Sequence, residues 1–96
     1  MSDIQKIRGC IRKSINKLVD EKILESDKND FKIKIKEYTK GFSHIEMRLP
    51  KYNDRPLSFD KLEHIVEETN DCIVDIELDG YRDDLFVVFT PREYNG

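Results

Sequence analysis

Residues 31–36 read Phe-Lys-Ile-Lys-Ile-Lys, apolar and basic in strict alternation. Successive side chains of a β-strand point to opposite faces, so this run has one face for a core and one for water. A helix repeats every 3.6 residues and would scatter both sets around its axis. Residues 43–49 alternate too, with Ile45, Met47 and Leu49 opposed to His44, Glu46 and Arg48. Lys40-Gly41 between the runs is a turn signal, so 31–49 is expected to be an antiparallel hairpin. Pro50 ends it, because proline has no N–H to give to a ladder.

A second hairpin is expected over 72–90. Cys72, Val74, Ile76 and Leu78 alternate with Asp75, Glu77 and Asp79, and Asp79-Gly80 is the expected turn. Residues 85–90 are apolar on both faces, the pattern of a central strand or one covered on both sides. Pro91 ends this strand as Pro50 ends the second.

A helix precedes each hairpin. Over 3–25, Ile4, Ile7, Ile11, Ile15 and Leu18 recur at helical spacing. Gly9 weakens its first turns by roughly 1 kcal/mol relative to Ala. Over 58–69, Ser58 is a good N-cap, Asp60 suits the positive first turn, and Phe59, Leu62, Ile65, Val66 and Thr69 are expected to face the core. The expected fold is therefore α+β, in the order αββαββ: a four-stranded antiparallel sheet with two helices on one face. Ninety-six residues suit one domain, 1–96.

Several function classes fall away. The longest apolar run is far short of the ~20 residues of a membrane helix. The N-terminus lacks a secretory core, so a cytoplasmic protein without a membrane is expected. Cys10 and Cys72 form no CxxC pair and are expected to be free, buried thiols. Asp75, Glu77, Asp79 and Gly80 imitate the start of a calcium loop, but the twelfth position, where a bidentate acid belongs, is Phe86. His44 and His64 have no metal-spaced neighbours, and no nucleophile motif or phosphate loop stands out. No cofactor, no metal and no catalysis are expected.

Charge is unevenly distributed. Residues 1–55 hold 14 Lys/Arg against 9 Asp/Glu, and residues 56–96 hold 3 against 11. Lys32, Lys34 and Lys36 share the spacing of Asp75, Glu77 and Asp79, so the two rows are expected to pair across the sheet. Function is expected to lie in a surface. The first expectation is a protein-binding module working through Glu67, Glu68, Asp71, Asp83, Asp84 and Tyr81 against a basic partner. The absence of alanine and the abundance of Lys and Ile follow AT-rich coding bias, which points to an inhibitor or regulator of phage or mobile-element type. The alternative is nucleic-acid binding by Lys32, Lys34, Lys36, Lys40 and Arg48, with Tyr38 and Phe42 stacking on bases. Phe86 and Val88 share a face with the charged rows and are candidates for a homodimer interface.

Overall fold

Among the described residues, two α-helices and four strands form in the expected order αββαββ. The computed structural model describes residues 3–37, 43–50 and 58–92. Helix α1 spans Asp3–Asp20 and buries Ile11, Ile15 and Leu18 completely. It ends five residues before the expected boundary. The Ile23 N–H donates to the Leu18 carbonyl at 3.0 Å and the Lys22 N–H to the Val19 carbonyl at 3.0 Å, with Lys22 at φ 62°. This is a Schellman closure, with lysine at the left-handed position that glycine usually fills. The turn brings Leu24 back into the core.

Arg12 secures the next stretch. Its guanidinium donates to the Lys28 carbonyl at 3.0 Å and to the Phe31 carbonyl at 2.7 Å. Both acceptors precede β1, Lys32–Glu37, so Arg12 ties α1 to the entry of the first strand. Strand β2 is Ser43–Arg48 and helix α2 is Phe59–Thr69. As expected, Ser58 caps α2, its hydroxyl accepting from the Lys61 N–H. A 3-10 turn over Asn70–Cys72 and Ile73 at φ 58° lead into β3, Val74–Tyr81, and β4 follows at Asp84–Pro91. The second hairpin turns later than Asp79-Gly80. Gly80 pairs with Leu85 and Tyr81 with Asp84, which leaves a two-residue loop at Arg82-Asp83 with Arg82 at φ 58°.

The sheet order is β1-β2-β4-β3, antiparallel throughout. Each hairpin places its second strand at the centre and its first at an edge. Toward the helices, one row reads Ile33, Met47, Val87, Leu78 and the next Ile35, Ile45, Phe89, Ile76. On the opposite face the rows read Lys32, Arg48, Phe86, Asp79 and Lys34, Glu46, Val88, Glu77. Strand β4 is central, as its two apolar faces imply. The expected pairing of lysines with acids is wrong: β1 and β3 are opposite edges, with two strands between them. Alternation assigns a face to each residue, but it carries no information on strand order.

The cysteines are also a correction. Cys10 of α1 and Cys72, just past α2, form a disulfide with Cα atoms 5.8 Å apart. The two helices pack against each other, and Ser14 Oγ lies 3.0 Å from the Cys10 carbonyl oxygen and 3.2 Å from that of Glu68. That close approach brings together two thiols 62 residues apart in sequence. No helix among the described residues is long and apolar enough to cross a membrane.

Candidate functional site

The acidic residues expected to work together are separated by the fold. Glu67 and Asp71 are exposed near the end of α2. Glu68 faces α1, where its carboxylate meets Lys17 Nζ at 2.6 Å, and this contact raises the Lys17 pKa above its ordinary 10.5. Asp83 and Asp84 lie at the far end of the β3–β4 hairpin, and Asp84 meets Arg48 at 3.2 Å. Tyr81 closes that hairpin by pairing with Asp84. An eight-residue strand separates the two groups, so they do not form one patch.

The basic candidates hold together better. Lys32, Lys34 and Lys36 project from edge strand β1 onto the open face, and none forms an ion pair with another described residue. Arg48 stands opposite Lys32 but is engaged by Asp84. Tyr38, Lys40 and Phe42 lie outside the described residues. The row borders a shallow hollow on the open face that also includes Glu46, Asp79, Asp84 and Phe86. Acids inside this hollow oppose a continuous track for phosphates.

Phe86 and Val88 occupy the middle of the open face, as expected, but both are half-buried. In register, Phe86 stands between Arg48 and Asp79, and Val88 between Glu46 and Glu77. The stems of long charged side chains can cover apolar neighbours in this way. No three His, Cys, Asp or Glu residues converge as a metal site among the described residues.

Apart from Ile73, in the turn before β3, the described large apolar side chains that are exposed belong to α2 and the core face of β3. Phe59 is 81% exposed, Leu78 54% and Val66 44%. Val66 and Leu78 line a groove of about 300 Å³ between α2 and the edge of the sheet, with Leu62, Ile65, Ile76 and Val87 at its floor and Glu77 at its rim. Phe59, Glu63 and Val66 follow the i, i+4, i+7 spacing and share one flank of α2. Phe59 and Val66 were expected in the core, and that expectation fails. The apolar arc of α2 is wider than its neighbours can cover: α1 occupies one side, and β3 is the last strand on the other. Leu78 belongs to the core face by alternation but sits where the layer of helices ends. The signal in the sequence was that broad arc, which one packing partner cannot fill.

Comparison of the chain with models of protein families, with characterised proteins and with solved structures finds no match in any of the three.

Proposed function

We propose that this protein acts by binding rather than catalysis, and that its working surface is the groove between α2 and edge strand β3. One observation carries the reading. Two of the exposed large hydrophobics, Val66 and Leu78, line the groove at edge strand β3, which also bears Asp75, Glu77 and Asp79 and pairs on its outer side with no other described strand, and Phe59 lies on the same flank of α2 as Val66. Exposed apolar clusters rimmed by polar groups mark interaction sites. A free edge accepts a strand, with the backbone supplying affinity and alternate side chains supplying specificity. The partner that fits is an extended protein segment alternating apolar and basic residues. Its apolar side chains enter the groove, and its basic ones meet the acids of β3 on the other face. This is an acidic surface facing a protein partner, formed by Asp75, Glu77 and Asp79 rather than by Glu67, Glu68, Asp71, Asp83 and Asp84, and an inhibitor or regulator is the role such a module suits.

A labelled eight-residue peptide alternating lysine and leucine is a direct probe. Amide shifts on titration should map to Val74–Tyr81 and the Phe59–Val66 flank, and Leu78→Asp should abolish them. Shifts confined to the open face, or equal binding by a scrambled peptide, would overturn the reading.

The lysines of β1, which form no ion pair with another described residue, favour a second reading, contact with a nucleic-acid backbone. A salt-sensitive gel shift with single-stranded oligonucleotide, lost in Lys34→Glu, would support it. The expected cytoplasmic setting meets a contrary observation, since a Cys10–Cys72 bond suits an oxidising compartment. Alkylation of the protein in intact cells before lysis would show which setting holds.

A further inference from the structure

The two edge strands of the sheet, each paired on one side only among the described residues, carry opposite charge on the same face. Edge β1 presents Lys32, Lys34 and Lys36, and edge β3 presents Asp75, Glu77 and Asp79. Among the described residues, Lys32, Lys34, Lys36, Glu77 and Asp79 form no ion pair, and only Asp75 is engaged, by Arg92 at 3.0 Å. The two hairpins are alike in layout and opposite in charge. Building on the reading of β3 as a strand-accepting edge, we propose that the segment it accepts is β1 of a second copy of this chain, so that molecules add head to tail.

Strand direction permits this. Each neighbouring pair in β1-β2-β4-β3 is antiparallel, so β1 and β3 run in opposite directions. A second copy shifted sideways in the sheet plane places its β1 antiparallel to β3, and the ladder continues without a break. Extending the rows sets Asp79 opposite the next copy's Lys32, Glu77 opposite its Lys34 and Asp75 opposite its Lys36. Opposite charges in that position are favourable, and like charges are not. Two β1 edges side by side would set lysines against lysines, and two β3 edges would set acids against acids. Charge therefore selects the mixed pairing and rejects both homotypic ones.

The helix side agrees. The incoming strand carries Ile33 and Ile35 on its core face, and they arrive beside Leu78 and Ile76 at the groove. Four strands at ~4.8 Å span about 19 Å, close to the width of two helices side by side. The next copy's α1 thus comes alongside the Phe59–Val66 flank of α2. The contact is heterologous, so it does not end at a dimer.

Sedimentation of the wild-type protein at low and high salt, up to high micromolar concentration, tests this. The expected result is concentration-dependent association that weakens with salt. Lys34→Glu and Glu77→Lys should each weaken it roughly tenfold or more, with folding checked by circular dichroism. The decisive measurement mixes two reversed-edge proteins, Lys32→Glu/Lys34→Glu/Lys36→Glu and Asp75→Lys/Glu77→Lys/Asp79→Lys. Each should be monomeric alone, and the two should associate when mixed. If either triple variant fails to fold, the single variants Lys34→Glu and Glu77→Lys take its place in the mixture. A wild-type monomer throughout, or association indifferent to both charge changes, would overturn the proposal. If the wild type stays monomeric while the lysine–leucine peptide binds β3, self-pairing fails and the groove stands. If neither associates, both fail.

Discussion

Lys34 and Glu77 stand in one cross-strand row on one face of the sheet, with Glu46 and Val88 between them. Three strand spacings separate the pair by roughly 14 Å, more than the ~8 Å Debye length at physiological salt. In the monomer, at low concentration, a double-mutant cycle of Lys34→Glu and Glu77→Lys should therefore show coupling near zero. Urea unfolding of the four proteins measures it. Coupling of more than about 0.5 kcal/mol would contradict the strand order.

The Cys10–Cys72 bond closes a long loop and limits the freedom of the unfolded chain. By loop length alone its loss should cost about 4 kcal/mol. Unfolding midpoints with and without dithiothreitol, beside Cys10→Ser/Cys72→Ser, should show that loss. Equal midpoints would mean that the bond does not form in solution.

Helix α1 and the turn that ends it each carry one residue that the local geometry disfavours. Gly9 is exposed in the helix, and a Cβ there would meet nothing within 4 Å. Gly9→Ala should stabilise by up to about 1 kcal/mol. Lys22 holds φ 62°, which a side chain makes costly. Lys22→Gly should stabilise by about 1 kcal/mol. Thermal melts decide both, and a destabilised Lys22→Gly would show that the Schellman closure is absent.

Burial separates Leu78 from its neighbours in the sheet. Leu78→Thr should change stability by no more than about 0.5 kcal/mol, as at most surface positions. Phe89, fully buried at the centre of the core, should lose about 3–5 kcal/mol on change to Ala. Equal losses at both positions would mean that the groove is filled in the free protein.

Lys17 has its pKa raised, chiefly by its hydrogen bond to Glu68 and then by that carboxylate's charge. A raised lysine pKa adds stability that is fully present below the ordinary 10.5 and is lost as pH rises through the folded value. Stability should fall above about pH 10.5, and the fall should be shallower in Lys17→Met. Parallel alkaline titrations of the two proteins check this.

Much of the fold was legible because it rests on local rules. The alternation of 31–36 and 43–49, the Ser58 cap and the two prolines act over a few residues, and β1, β2, α2 and the end of β4 appear where those rules place them. Two local misreadings, the end of α1 at Asp20 and the turn at Arg82-Asp83, arise because Lys22 and Arg82 hold left-handed positions that glycine usually marks; the larger ones concern non-local facts. No spacing reveals that β2 pairs with β4, so by sequence alone the Lys32–Lys36 and Asp75–Asp79 rows read as partners. No motif shows that Ser14 brings α1 against α2, so Cys10 and Cys72 read as separate thiols. Phe59, Val66 and Leu78 have the residue types of a core. Only the edge of the helical layer makes them a surface.

The disulfide joins the first helix to the far side of α2, and it encloses β1, β2 and the connection between the two hairpins. In covalent terms residues 10–72 are a ring, and the β3–β4 hairpin is a tail attached to it. One peptide bond cut anywhere inside the ring leaves a single molecule of unchanged mass apart from one added water. Only reduction separates the pieces. A nicked population would therefore run as one species on a non-reducing denaturing gel and as two fragments on a reducing one.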